Sequence, residues 1–445
     1  VNVSAVITGL GSVCAWGWGV EALWRGLETG ETRIGEARRF NVEGQRTRVV
    51  AEVPKPPRAV VDAHSRHHRE WCRLSRADRY GVAAAVEAWG DSPWGAGLGL
   101  PTAEEGPEIG VFFGGSTAGM AEAERFYARV TGRTAGPPKL NLLTSFQLNG
   151  PGDAVARRLG AMGPVETVSS ACASGGLAIG AALEALRRGE VSVAVAGGAD
   201  SLTRLTYSGF NALRAVDAAP CRPFRADREG LSLGEGAGVV VLETPEHARR
   251  RGARVLAAVV GTGASCDAHH MTAPHPEGLG AAAAIRRALA DAGIAPTAVR
   301  FINAHGTGTP LNDASETAAL VAVFGDRAGA LPVTSTKGSV GHLLGSSGAL
   351  EAVATVLCLH HGQVHATPGG GTVDPALPVA PVLGAALPLA ASSDPGAARG
   401  SESGSEPGAE PGLETGWIAL STSFAFGGSN AAVVFRGPSH PSGER

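Results

Sequence analysis

The chain has 445 residues, 44% hydrophobic and 18% charged, enough for two domains or one large duplicated one around a sizeable core. Its formal net charge of −3 argues against a nucleic-acid-binding protein. Six scattered cysteines without a C-x-x-C pair fit neither a zinc framework nor a disulfide scaffold, and no run approaches ~18 uninterrupted apolar residues, so no membrane helix is expected.

In chain order, residues 5–9 are a predicted strand, with no basic n-region or long apolar h-region before it, and the expectation is a cytoplasmic protein without a signal peptide. Gly9 and Gly11 follow as in a dinucleotide fingerprint. However, Cys14 holds the third small position, and no acidic ribose partner ends a second strand about 20 residues on. A helix is predicted over 17–28, with Val20, Leu23 and Leu27 on one face. His64, His68 and Cys72, four apart, would share a helix face and suit a metal. The favoured reading is instead a solvated basic segment, with Arg66, Arg69 and Arg73, leading into a helix over 79–89, and no metal is assigned. A strand over 109–113 ends in Gly114-Gly115-Ser116-Thr117, and 140–148 and 153–159 read as helical.

Residues 165–188 organise the rest. A short β-type run over 165–168 enters a turn of small residues, Ser169 to Gly175, and then an apolar helical pattern. Cys172 therefore sits at a sharp strand-to-helix turn, in outline a nucleophile elbow. A helix N-terminus offers free N–H groups and partial positive charge, which favour thiolate over thiol. A buried structural cysteine is the competing reading.

Strands over 191–195 and 239–242 flank a polar looped segment over 221–233. The pattern then starts again. Strands are predicted over 255–261, 301–304, 333–337, 418–423 and 431–435, and helices over 279–292, 313–324 and 350–360. This alternation predicts an α/β fold with buried, mostly parallel sheets, duplicated as halves 1–250 and 251–436. Residues 391–415, rich in Ser, Gly, Pro and Glu without apolar periodicity, read as a disordered acidic insertion, and 437–445 as a flexible tail.

Three later stretches place polar chemistry at strand ends: Asn303-Ala304-His305-Gly306-Thr307-Gly308-Thr309-Pro310, Ser335-Thr336-Lys337-Gly338-Ser339-Val340-Gly341-His342, and Ser423-Phe424-Ala425-Phe426-Gly427-Gly428-Ser429-Asn430. Loops at the carboxyl ends of strands form the ligand crevice of open α/β sheets. One cysteine and two histidines in such loops can converge.

These stretches, with SACASG around Cys172, CRPFRADREGLSLGEGAG from Cys221 and DAHHMTAP from Asp267, carry a resemblance over almost the whole chain. The chain resembles the elongating β-ketoacyl synthases of the thiolase superfamily, which work with an acyl carrier protein. The resemblance implies a duplicated thiolase-like fold, layered α-β-α-β-α with two mixed sheets. It implies Cys172 as nucleophile, His305 and His342 as the pair that meets a malonyl thioester, and Lys337 as a charge that tunes them. The backbone N–H groups of Cys172 and Phe426 would form the oxyanion hole, with Phe426 and Phe424 in the gate. Glu316, Glu351 and Asp313 would support, Asp313 capping its helix. Thr307, Thr309 and Thr272, with His270, would meet the pantetheine arm, loop capping being the alternative for the last two. Thr117 would line the acyl pocket.

Three departures from the family stand out: Ala425 where glycine is usual between the phenylalanines, Ser346-Ser347 where paired alanines are common, and the acidic insertion. The resemblance implies a dimer, with 191–195 as the expected interface strand, and no metal, nucleotide or flavin. Two enzyme readings follow: a stand-alone condensing enzyme of fatty-acid or polyketide synthesis, or the catalytic subunit of a heterodimer with a chain-length partner. Thiolases use a two-cysteine arrangement, and initiating synthases carry Asn at the position of His342. Retention of Cys172, His305, His342 and Lys337 together argues against a silent structural subunit.

Overall fold

A computed structural model describes residues 5–389 and 416–438, apart from 65, 66 and 145. The expected insertion over 391–415 and the tail beyond 438 lie outside the described residues. The main strands are β1 Ala5–Cys14, β2 Ile109–Gly114, β3 Val165–Val168, β4 Val193–Asp200, β5 Gly236–Glu243, β6 Ala257–Cys266, β7 Val299–Asn303, β8 Pro332–Thr334, β9 Ala380–Pro381, β10 Ile418–Phe424 and β11 Ser429–Arg436. The main helices are α1 Arg76–Trp89, α2 Gly150–Leu159, α3 Ser174–Arg187, α4 Leu279–Asp291, α5 Pro310–Phe324 and α6 Ser347–His361.

The strands run in the order β9-β8-β7-β10-β11-β6-β1-β5-β4-β2-β3. Leaving aside the two-residue β9, each half repeats one pattern. Its first strand pairs with its fifth, then come the fourth, second and third. In both halves the second strand is parallel to the third and fourth, and the fifth is antiparallel to the first and fourth. The sheets are therefore mixed, and hydrogen bonds join them edge to edge, where Ala5–Ile7 of β1 runs antiparallel to Ala257–Val259 of β6. Burial on both faces was legible in the apolar runs, but which neighbour each strand takes was not.

Side chains alternate between two apolar layers. Val193, Val195, Val239 and Val241 pack outward against α1 and α2, while Ala194, Ala196, Val240 and Leu242 pack inward. In the other half Ile302, Leu420 and Val434 pack outward against α4 and α5, while Phe301, Val433 and Phe435 face the middle. Between the halves lie α3 and α6, completing five layers. Residues Ser347 to His360 of α6 are all buried, as its apolar character on every face requires. Small residues let these two helices touch. A β-carbon built on Gly175 would meet the Ala349 nitrogen at 2.6 Å.

Several sequence features take definite form in the fold, two of them against expectation: the helix over 140–148 and the interface strand. Gly9 and Gly11 lie inside β1, where β-carbons would meet the Ala88 and Ala84 carbonyl oxygens at 2.0 and 1.8 Å, so they admit α1 against the strand and form no phosphate turn. Among the described residues of 140–148 the one helical element is a 3-10 turn, Leu140–Leu142. The expected interface strand, 191–195, leads into β4, which is buried between β2 and β5; the open edge of that half is β3, with Val165 exposed. His64 is buried and stacks on Trp71 at 4.0 Å; the His68 side chain lies outside the described residues. Among the described residues no helix is long and apolar enough to cross a membrane.

Candidate active site

Equivalent connections in the two halves build the site. Cys172 follows β3 and precedes α3, and His342 follows β8 and precedes α6. Both turns hold a residue in the left-handed region that L side chains rarely adopt, Ala171 (φ 45°) and Leu344 (φ 57°). Ser174 fastens the first turn: its hydroxyl accepts from the Ser170 N–H at 2.8 Å and donates to the Ala171 carbonyl at 2.6 Å. His305 follows β7, and Phe424 and Phe426 lie at the β10–β11 connection.

These residues come together. The His305 and His342 rings meet edge to face, 5.4 Å apart at 87°, and Phe424 stands 5.9 Å from His305. The Phe426 backbone N–H donates to the Cys172 sulfur, while its ring stacks on Phe210 at 5.6 Å. The charge of Lys337 acts on Cys172, His305 and His342 alike. Its ammonium is fully buried and paired with Glu351.

Burial dominates the electrostatics. It lowers both histidines well below the ordinary 6.5, and Lys337 lowers them further, so both imidazoles are neutral. The His342 tautomer follows from its contacts. Nδ1 accepts the Leu344 N–H at 2.9 Å, so the ring proton sits on Nε2. His305 Nδ1 is buried without a hydrogen-bond partner among the described residues. For Cys172 the helix-terminus expectation of a thiolate is overturned. Burial pushes the thiol up to about 11, against the lowering influence of Lys337 and the Phe426 N–H, because desolvating a thiolate outweighs one nearby charge that Glu351 already neutralises.

Around this centre Glu316 accepts from the backbone N–H groups of His305 and Gly306 at 2.9 and 2.8 Å and from the Thr422 hydroxyl at 2.8 Å. Burial raises its carboxyl to about 7. Asp313 does not cap its helix: α5 begins three residues earlier, and Thr309 is the cap, accepting the Asn312 N–H at 3.3 Å. Asp313 instead accepts from the Phe224 and Gly308 N–H groups at 2.9 and 3.2 Å. The Thr307 and Thr309 hydroxyls lie 2.9 Å apart. His270 is exposed and closes a local turn, Nδ1 accepting the Thr272 and Ala273 N–H groups at 3.1 Å each. Ala425 has no positive φ; that conformation falls on Gly427 and Gly428, so the β-carbon of Ala425 brings no backbone strain.

Thr117 turns its hydroxyl onto Asp200 at 3.0 Å, a residue that sequence reasoning passed over. Fully buried, the Asp200 carboxylate also accepts the N–H groups of Ser116, Thr117, Ala118 and Gly345. The available signal was a single acid ending an otherwise apolar strand. Cys172 and the two neutral imidazole rings thus share the influence of the Lys337 charge, and Cys172 also has a backbone donor, a combination suited to thioester exchange and to stabilising an enolate.

Known proteins resemble this chain along almost all of its length. Residues 4–248 match the family model described as beta-ketoacyl synthase, N-terminal domain, and residues 256–370 the C-terminal domain. A mitochondrial 3-oxoacyl-[acyl-carrier-protein] synthase of Arabidopsis thaliana is 35% identical, covering 97% of this chain and 92% of its own. 3-oxoacyl-[acyl-carrier-protein] synthase 2 of Synechocystis sp. is 34% identical, covering 97% of both. The solved ishigamide ketosynthase/chain length factor superposes with a TM-score of 0.83 at 32% identity, over 98% of this chain and 100% of its own. With both domain models matched in order and relatives aligned nearly end to end, the chain belongs to the β-ketoacyl synthase family of condensing acyltransferases.

Proposed function

We propose that this protein extends an acyl chain by decarboxylative Claisen condensation with malonyl-acyl carrier protein. The observation that carries the reading is the pair of buried neutral histidines that share the influence of Lys337 with Cys172, with the His342 proton held on Nε2. In the first half-reaction Cys172 attacks an acyl thioester, its proton passes to the departing carrier thiol, and the acyl group stays on sulfur. The N–H groups of Cys172 and Phe426 receive the oxyanion. In the second, His305 and His342 donate to the malonyl thioester oxygen. The carboxylate carbon–carbon bond breaks, carbon dioxide leaves, and its electron pair forms the enolate. That carbon attacks the acyl thioester, and the Cys172 thiolate departs and takes up a proton, leaving a β-ketoacyl carrier two carbons longer. Phe424 and Phe426 gate entry. Glu316, Glu351 and Asp313 hold the frame. Thr307, Thr309 and Thr272, with His270, receive the pantetheine arm, and Thr117 borders the acyl end.

The carrier's phosphopantetheine is substrate, and no resident cofactor is part of this reading. We place the enzyme in the cytoplasm, as a homodimer paired through the open edge of β3, with halves dividing near residue 250. The likeness to a ketosynthase/chain length factor structure supports a second reading, the catalytic member of a heterodimer. Intact-mass spectrometry with a panel of acyl thioesters, followed by malonyl carrier, tests all of this. Acylation of Cys172 and release of a two-carbon-longer product uphold the condensing reading, and loading only with a co-purified homologue upholds the heterodimer. Loading under neither condition overturns both.

A further inference from the structure

His342 has a second neighbour at Nδ1. The Ser347 hydroxyl lies 3.0 Å away, beside the Leu344 N–H at 2.9 Å. Ser347 is the first residue of α6 and 2% exposed. Among the described residues Nδ1 is the hydrogen-bond partner its hydroxyl has. The adjacent Ser346 is used differently, its hydroxyl donating to the Leu343 and Gly236 carbonyls at 2.8 and 3.2 Å.

We propose that Ser347 is a positioning residue for His342, its hydroxyl donating to Nδ1 so that Nε2 keeps the proton and presents it to the substrate oxygen. The direction of this bond follows from the Leu344 N–H. A proton on Nδ1 would face that donor head on, so Nδ1 is an acceptor and the serine must donate. Leaving the buried hydroxyl without an acceptor would be unfavourable, which holds it on the ring. Two donors on one ring nitrogen draw electron density away from the imidazole and strengthen Nε2–H as a donor toward an enolate oxygen. The other groups acting on this ring are Lys337, itself paired with Glu351, the backbone of His342 itself, which works in the raising direction, and His305, which is neutral. The Ser347 hydroxyl thus adds an uncharged influence beside the Lys337 cation, which Glu351 already compensates. The part played toward substrate rests on the condensing reading above; the contact to Nδ1 does not.

The test uses the full chain as wild type, Ser347→Ala and Ser347→Thr, the last keeping the hydroxyl. Nitrogen-15 NMR of labelled histidines follows the His342 ring, while malonyl-thioester decarboxylation and acyl loading of Cys172 are measured separately. Expected for Ser347→Ala are a displaced Nδ1 resonance, a His342 titration moved to higher pH, and a decarboxylation kcat lower by about three- to tenfold at unchanged KM. Cys172 loading should stay within about twofold, and Ser347→Thr should restore both the resonance and the rate. An unmoved resonance in Ser347→Ala, or equal losses of loading and decarboxylation, would make Ser347 a space-filler and overturn the proposal. A displaced resonance in a protein whose wild type decarboxylates nothing would uphold the contact and sink the condensing reading instead.

Discussion

Gly348 of α6 lies against Gly176 of α3 so closely that a β-carbon on Gly348 would meet the Gly176 nitrogen at 2.7 Å and the Ser423 hydroxyl at 2.6 Å. This crossing holds together the two helices that begin just after Cys172 and His342.

Gly348→Ala should therefore drive the helices apart. Overpacking at a close-packed backbone contact costs about 1–3 kcal/mol. We expect a lower urea midpoint and a condensation rate that falls further than Cys172 loading, since condensation needs both elbows. A variant with wild-type stability and rates would show that the crossing adapts without moving the site.

Lys337 and Glu351 are 1% and 2% exposed and paired. Removing one partner leaves a buried charge uncompensated, at a cost of about 3–5 kcal/mol, whereas replacing both with apolar residues can be neutral. Lys337→Met should unfold at much lower urea than wild type. Lys337→Met/Glu351→Leu should recover most of that stability without recovering condensation. Equal stability in the single and double variants would refute the pairing argument.

His305 and His342 have folded pKa values depressed below 6.5, by burial first and Lys337 second. As pH falls, the unfolded chain takes up these protons before the folded chain does. Stability present above about pH 6.5 is thus lost below it. Glu316, raised to about 7 by burial, works in the opposite sense: its contribution is present below about pH 4.5 and is lost as pH rises through 7. Comparing wild type with His305→Gln/His342→Gln isolates the histidines. Between about pH 7.5 and 5.5 the wild type should lose more stability on acidification than the double variant. Parallel curves would mean that the folded chain takes up these protons over the same pH range as the unfolded chain, so that burial does not keep the rings neutral.

Among the described residues no strand pairs with the outer edge of β3, beside the exposed Val165. An uncovered edge of this kind is an association surface. If the proposed homodimer pairs through this edge, Val165→Lys should shift the sedimentation coefficient from dimer toward monomer while leaving thermal unfolding of the monomer little changed. An unshifted dimer would place the interface elsewhere.

Much was legible in the linear chain because it depends on local pattern. Apolar runs marked β2, β4, β5 and β10, the duplication showed in the strand–helix alternation, and the motifs around Cys172, His305, His342 and Phe426 were contiguous. Their local turns are dictated by small residues such as Gly175 and Gly427. What the motifs share is position at strand ends, and this sufficed to nominate them together.

Tertiary structure decided the rest, since those outcomes depend on distant neighbours. Whether Cys172 rests as thiol or thiolate turns on desolvation by surrounding layers, and burial overrode the helix terminus. Thr309 capped α5 because Asp313 was drawn to the N–H groups of Phe224 and Gly308. Asp200 became the tether of three consecutive N–H groups and Gly345 only when β4 ended beside two other loops. Strand neighbours, and hence which edge stays open, followed from pairings between strands far apart in the chain, such as Val111 with Val165 and Val6 with Glu243, for which a period of two carries no information. Sequence determined which groups are available for chemistry, and packing determined their charge, their tautomer and their partners, because desolvation and hydrogen-bond direction are properties of the folded surroundings.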